Sequence, residues 1–258
     1  MPNRLATRLT AVGERHLRAG HPWIYDKSIE RIKGEGEAGD LAVIFDRRKD
    51  KFIGVGLFDP HSPIRVKALH VGGSVKINQD FFRQRIQTAF DLRKPLLATD
   101  TNSYRLLNGE NDGFPSFIAD VYDRVLVVKL YSLIWQPYFA MILPELLAVS
   151  NCETVVMRLS RNVQALTNKP ESWQDGHVIH GELTDPEVIF REHGLQFRAN
   201  VIAGHKTGFF LDHRQNRKRV GELSQGRSVL DIFSYAGGFS VHALGGGAKR
   251  VVSLDISA

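Results

Sequence analysis

The sequence predicts a multidomain protein of α/β and α+β class: a small N-terminal β-barrel over residues 1–73, a middle α+β domain over 74–186, and the start of a Rossmann-like parallel unit over 187–258. Three observations predict it. Short apolar runs broken by turn residues fill the N-terminal segment, as in a small barrel. Gln79–Leu97 carries Phe82, Ile86, Ala89, Phe90 and Leu97 near one helical face, and strand-like and helix-like runs follow it. The last segment, Gly226 to Ala258, reads strand, glycine turn, helix, strand, acid.

In the first unit, Arg4–Ala11 reads as a strand and Glu14–Ala19 as a short helix. Lys27–Ile32, Leu41–Phe45, Phe52–Leu57 and Ile64–Leu69 read as further strands separated by Gly34–Gly39, Arg47–Lys51 and Asp59–Pro63. Within the turn at 46–51, Arg47, Arg48, Lys49 and Lys51 are candidates for RNA backbone contact, with aromatic support from His21-Pro22-Trp23-Ile24-Tyr25. A solvated hairpin tip and a core Trp23 are the plain structural alternatives.

In the middle unit, Tyr104–Leu107, Ser116–Val121, Val125–Tyr131 and Thr154–Leu159 read as strands and Pro137–Ser150 as a helix. The turn-rich stretch Asn108–Pro115 reads as a connector. Val188–Arg191 and Leu195–Val201 flank a His193-Gly194 turn, a hairpin expected to seal the edge of the following sheet or lead the chain onto it. Asp212 reads as the N-cap of a helix over His213–Ser224. On that helix Arg214, Arg217 and Lys218 share one face and are candidates for RNA contact.

The C-terminal unit specifies a ligand position. A parallel strand, Val229–Asp231, ends in a carboxylate. Gly237 and Gly238 then let the backbone approach a ligand, and the next helix, Phe239–Leu244, presents unpaired N–H groups. Asp255, at the tip of the next strand, Arg250–Leu254, is placed to accept both hydroxyls of a ribose. The G-x-G-x-x-G pyrophosphate pattern is not met, and Asp231 would repel a phosphate, so the cationic aminoacyl end of S-adenosyl-L-methionine suits it better. Candidate cofactor residues are Asp231, Phe233, Ser234, Tyr235, Gly237, Gly238 and Asp255, with Lys206, Phe209 and Asp212 from the preceding Gly204–Asp212 stretch.

Formal net charge is +6, and its distribution matters more: residues 1–75 and 187–258 each carry four more basic than acidic side chains, the middle two fewer. Basic ends suit an anionic partner, nucleic acid above all. The single cysteine, Cys152, fits a reducing compartment. No apolar run reaches the ~20 residues of a membrane span, and Met1–Thr10 lacks the apolar core of a signal peptide, so a cytoplasmic location and no membrane partner are expected. The histidines and the lone cysteine form no metal-ligand pattern, and neither a Walker loop nor a G-x-S-x-G elbow is present.

Four stretches carry a family resemblance: His21-Pro22-Trp23-Ile24, Tyr104–Gly113, Gly204–Asp212 and Val229–Ser240. On these the chain resembles the bacterial ribosomal RNA large-subunit methyltransferase I family from its N-terminus to Ala258. The resemblance implies a PUA domain, a middle domain shared with related methyltransferases, and a class I S-adenosylmethionine-dependent methyltransferase domain. It implies methylation of cytosine carbon 5 in large-subunit (23S) rRNA. In that chemistry a cysteine thiolate adds to carbon 6, carbon 5 attacks the sulfonium methyl, and a base removes the proton.

The family's nucleophilic cysteine lies in a motif beyond the cofactor turn, and Cys152 matches no catalytic position. No catalytic residue is therefore assigned, and the chain is expected to be a truncated, inactive form with an exposed apolar sheet face and an unpaired edge. The alternatives are a non-catalytic RNA-binding protein and a nucleotide-dependent oxidoreductase, the latter disfavoured by the missing third glycine. RNA is the expected partner, and a homodimer is left open.

Overall fold

The computed structural model describes residues 2–256. Its first layer is a six-stranded sheet built from β1 (Arg4–Leu9), β2 (Trp23–Ile24), β3 (Ile29–Lys33), β4 (Leu41–Phe45), β5 (Phe52–Phe58) and β6 (Val66–Val71), in the order β2-β6-β5-β4-β1-β3. All neighbours are antiparallel except β1 and β4. Alternation along β1 turns Leu5, Thr7 and Leu9 inward and Arg4 and Arg8 outward.

The first helix, α1 (Ala11–Arg18), begins earlier than Glu14 because the Thr10 side chain accepts the Gly13 N–H at 3.1 Å. The strand expected over Arg4–Ala11 therefore stops at Leu9. A 3₁₀ turn at Asp26–Ser28 likewise delays the next strand to Ile29.

The second layer starts with α2 (Gln79–Leu97), capped by the Asn78 side chain. It continues through β7 (Ser103–Asn108), β8 (Phe117–Tyr122), β9 (Val125–Leu130), α3 (Phe139–Ser150), β10 (Thr154–Leu159), the single turn α4 (Arg161–Gln164) and β11 (His177–His180). The strand order is β11-β10-β9-β8-β7. Because α3 connects β9 to β10, that pair is parallel; the other pairs are antiparallel.

One face of this sheet lies under α2 and α3 around Phe82, Phe114, Phe117, Trp135, Tyr138 and Ile142. Leu133–Ser150 is long and apolar enough by composition to cross a membrane, yet Leu133, Ile134, Trp135, Tyr138, Ile142 and Leu146 are buried in this core.

The first two layers are joined by buried polar contacts. Lys67 and Asp59 pair at 2.6 Å, Ser132 Oγ donates to the same carboxylate at 2.6 Å, and Tyr138 Oη donates to the Gly39 carbonyl at 2.8 Å. Desolvated pairs of this kind hold geometry, since breaking one strands a buried charge.

The third part comprises the antiparallel hairpin β12 (Glu187–Glu192) and β13 (Leu195–Asn200), then α5 (Arg214–Leu223), β14 (Ser228–Ile232), α6 (Gly238–Gly245) and β15 (Arg250–Leu254). β14 and β15 are parallel, with Asp231 opposite Ser253. The hairpin does not join their sheet. Its Phe190, Phe197 and Ala199 pack instead on Tyr122, Val125, Val127 and Val156, the face of the middle sheet that α2 and α3 leave uncovered. Burial of those apolar side chains outweighs two more ladder pairings at a sheet edge. On the face of β14–β15 away from α6, Leu230, Ile232, Val252 and Leu254 are exposed.

Candidate functional site

The turn after β14 is strained and over-bonded. Phe233, Tyr235 and Gly237 have φ of 63°, 47° and 68°, and a non-glycine residue held there costs about 1–3 kcal/mol. The backbone is fixed by Phe233 N and Ser234 N donating to the Leu254 carbonyl at 2.8 and 3.1 Å, and by Tyr235 N donating to Asp255 Oδ2 at 2.7 Å. Asp231 Oδ2 accepts Ser240 N–H at 3.1 Å and Ser240 Oγ–H at 2.6 Å, and Ser240 Oγ also meets Ser253 Oγ at 2.6 Å. Opposed register puts Asp231 and Ser253 on the α6 face of the sheet, and Asp255, two residues on, follows the same parity.

Gly237 is required by its positive φ. Gly238 is required by packing: a Cβ there would lie 2.9 Å from Arg217 Cδ and 3.1 Å from Phe209 Cζ. The close approach at Gly238 is thus to the protein's own side chains. Phe233 is 79% exposed, on the outside of the turn.

The Gly204–Asp212 stretch is clamped on both sides. On the middle sheet, Lys129 Nζ donates to the Lys206 carbonyl at 2.8 Å and Arg158 to the Gly204 carbonyl at 3.1 Å. Thr207 Oγ1 donates to Asp120 at 2.6 Å, and Phe209 N donates to Tyr122 Oη at 3.0 Å. On the other side, Tyr235 Oη accepts His205 N–H at 3.3 Å and donates to the Gly208 carbonyl at 3.4 Å. Tyr235 therefore ties this loop to the glycine turn.

Arg105 pairs with Asp120 at 2.8 Å. Burial works against its charge, but Asp120, with Tyr122 and Asp212 behind it, raises its pKa above the usual guanidinium value.

Several residue assignments made from sequence are corrected by burial. Phe209 is 3% exposed in the cluster of Phe190 and Phe197, with the Arg217 guanidinium 4.5 Å from its ring, so it offers no face to an adenine. Asp212 does not cap α5; it lies exposed in a 3₁₀ turn, Leu211–His213, and the α5 N-cap position is His213 without a side-chain bond.

Arg217 points inward and binds Glu192 through Nε at 2.8 Å and Nη2 at 2.7 Å, while His242 Nε2 meets the same carboxylate at 3.0 Å. Burial favours a neutral Glu192, yet the hydrogen bonds from Arg217 and His242 hold its pKa down at about 2. Arg214 is also buried, donating to Thr99 and Thr101. The basic face expected on α5 is therefore absent: of the three candidates only Lys218 is exposed, and it pairs with Glu222 at 3.2 Å. Lys206 is exposed, with φ of 60°.

The basic turn, by contrast, is fully displayed. Asp46 accepts the Arg48 and Lys49 N–H groups, which lowers its pKa and shapes the tip. Between that tip and α1 lies a groove of about 860 Å³ where Arg15, Arg18, Arg47, Arg48, Lys49 and Lys51 face only Glu14 and Asp46. Arg18 pairs with Glu14 and Arg47 with Glu30; among the described residues Arg48, Lys49 and Lys51 form no ion pair.

Cys152 is 7% exposed, and burial pushes its thiol up to about 11. Among the described residues no group of three or more His, Cys, Asp or Glu is placed to hold a metal. Sequence reasoning missed Asp120, Tyr122, Lys129 and Glu192, whose partners lie 15 to 87 residues away. No local signal marks such pairs.

Comparison with known proteins gives two family matches: a PUA-like domain over residues 8–70 and an S-adenosylmethionine-dependent methyltransferase over 147–258. The second match reaches back into α3 and β10 of the middle sheet. A Deinococcus radiodurans protein named ribosomal RNA large subunit methyltransferase is 47% identical over 99% of this chain. Proteins named ribosomal RNA large subunit methyltransferase I from Alteromonas mediterranea and Aliivibrio fischeri are 33% and 34% identical over 95% of it. The chain spans 63%, 60% and 61% of the lengths of these three. Among solved structures, a Streptococcus mutans protein described as a SAM-dependent methyltransferase matches with TM-score 0.77 and 22% identity, over 99% of this chain and 64% of its own. Another, described as a methyltransferase complexed with SAH, matches with TM-score 0.80 and 22% identity, over 99% of this chain and 63% of its own. At that identity the likeness establishes the fold.

Proposed function

The chain is a relative of the bacterial ribosomal RNA large-subunit methyltransferases that joins a PUA-like domain to an S-adenosylmethionine-dependent methyltransferase fold, and from this premise we propose that it engages that cofactor and ribosomal RNA for methyl transfer. The observation that carries the reading is the pair of carboxylates at the ends of neighbouring parallel strands, Asp231 bonded to Ser240 N in the first turn of α6 and Asp255 to Tyr235 N in the glycine turn. The residues present fit the group. The acids lie on one sheet face at the N-terminus of α6, beside a backbone held in a strained conformation.

In this reading Asp255 holds the ribose hydroxyls and Asp231 the aminoacyl end, with Ser234, Tyr235, Gly237 and Gly238 as backbone walls and Lys206 nearby. When bound, the cofactor supplies an electrophilic methyl on its sulfonium. The displayed groove beside Arg47, Arg48, Lys49 and Lys51 engages the RNA backbone. Cytosine carbon 5 of large-subunit rRNA as target follows the family resemblance, whereas a cytoplasmic site of action and domain limits at 1–73, 74–186 and 187–258 follow the reading of the sequence.

Calorimetric titration with S-adenosylmethionine, S-adenosylhomocysteine and NAD tests the reading. Replacing Asp255 by Ala is expected to weaken binding of the first two by about 1–3 kcal/mol, the scale of one lost hydrogen bond to a buried charge. Equal affinity of the variant, or preference for NAD, overturns it.

A second reading is RNA binding without turnover, carried by the displayed basic groove of the PUA-like domain. Cys152 is buried and its thiol is pushed up to about 11, so this residue is not a candidate for the thiolate of cytosine carbon 5 chemistry. A methyl-transfer assay on unmodified rRNA separates the two: no incorporation alongside salt-sensitive RNA binding supports the second.

A further inference from the structure

A cavity of about 330 Å³ opens where three distant parts of the chain meet: Trp23 of β2, Arg105, Lys129 and Tyr131 of the middle sheet, and Lys206 of the clamped loop. That size lies within the range of about 300–1,000 Å³ typical of small-ligand sites. Lys129 shares strand parity with Val125 and Val127, so the cavity opens on the same face of the middle sheet as the β12–β13 hairpin, beside it rather than beneath it. Its chemistry is mixed in a specific way.

Two aromatic side chains are available to a ligand, Trp23 at 39% and Tyr131 at 45% exposure. Trp23 is fixed by its Nε1 donating to Glu110 at 2.9 Å, and Lys129 Nζ lies 5.8 Å from the Tyr131 ring centre. Three cations border the rings, and Asp120 beneath them is already satisfied by Arg105 and Thr207. The one carboxylate on the wall, Glu110, is turned to the Trp23 indole and the Ser116 N–H. A flat π-system with an attached anion matches this set, since bases stack on aromatic faces while cations take the phosphate.

Position adds to composition. Lys206 and Thr207 form one wall of the cavity, and their flanking neighbours, His205 N–H and the Gly208 carbonyl, bond Tyr235 of the glycine turn. One loop therefore separates the cavity from the candidate cofactor site. We propose that this cavity receives one unstacked nucleotide of a single-stranded RNA segment, its base against Trp23 and Tyr131 and its phosphate toward Arg105, Lys129 and Lys206. The inference rests on the RNA reading above and adds to it a nucleotide site distinct from the basic groove on the PUA-like domain.

Trp23 supplies the test, because Trp135 and Trp173 are buried at 0% and 6% exposure and Trp23 alone is accessible to a stacked base. The full chain is titrated with a short single-stranded oligoribonucleotide, following indole emission and, in parallel, filter binding across a salt series. Quenching on binding is expected. Tyr131→Ala should weaken affinity roughly tenfold or more, Tyr131→Phe should restore it, and inorganic phosphate alone should leave the emission unchanged. If RNA binds with a steep salt slope but the emission stays constant, or Tyr131→Ala binds as the parent does, the cavity proposal falls and the RNA reading stands. If no salt-sensitive RNA binding occurs, both fall.

Discussion

Glu192 and Arg217 form the most enclosed ion pair among the described residues, their side chains 0% and 2% exposed and joined by two hydrogen bonds of 2.8 and 2.7 Å. The pair, with His242, fastens the hairpin to α5 and α6 directly behind the glycine turn. Arg217→Ala leaves a buried carboxylate without its main counter-charge and is expected to cost about 3–5 kcal/mol, read by urea denaturation. The same variant opens space beside Gly238, so cofactor affinity should fall with it.

The pair also sets a pH dependence. Glu192 has a folded pKa of about 2 against an ordinary 4.5, so its contribution is present above 4.5 and lost as pH falls toward 2. Glu192→Gln should flatten the stability profile between those limits, measured by denaturant midpoints across pH.

Tyr122 Oη accepts the Phe209 N–H and meets Thr207 Oγ1 at 3.0 Å, joining the middle sheet to the Gly204–Asp212 loop. Tyr122→Phe strands a buried backbone donor and should cost about 1–3 kcal/mol. Amide exchange should accelerate in residues 204–212 while the β8–β9 ladder stays protected.

Salt dependence tests the basic groove. Neutralising Arg48, Lys49 and Lys51 together should lower the slope of log Kobs against log salt by about 2, because each lost phosphate contact removes about 0.7–0.9. An unchanged slope would place the RNA elsewhere.

Cys152 should resist a disulfide reagent in the native state at pH 8 and react at once in denaturant, since its thiol is buried and titrates near 11. Fast native labelling would show that its surroundings open.

The long helix α2 coincides with the apolar spacing at Gln79–Leu97, and the strand, turn, helix and strand from 228 to 254 fall where the glycine pair and the two acids put them. Both are written in short-range periodicity and turn chemistry. The strand Trp23–Ile24 is not, because two residues carry no period and only pairing with Val66 and Lys67 makes them a strand.

The i, i+3, i+4 spacing of Arg214, Arg217 and Lys218 set a shared helix face without saying whether that face meets water or Glu192. Likewise Phe209 reads in the sequence as a candidate cofactor residue, and only the Tyr122–Phe190–Phe197 cluster decided that it is buried in the core. Sequence alone determined the long regular segments and which turn bears the acids, because backbone propensity acts over a few residues. Tertiary structure decided which charges are spent internally and which cavity remains open, because those outcomes depend on partners that only the folded chain brings within hydrogen-bond reach.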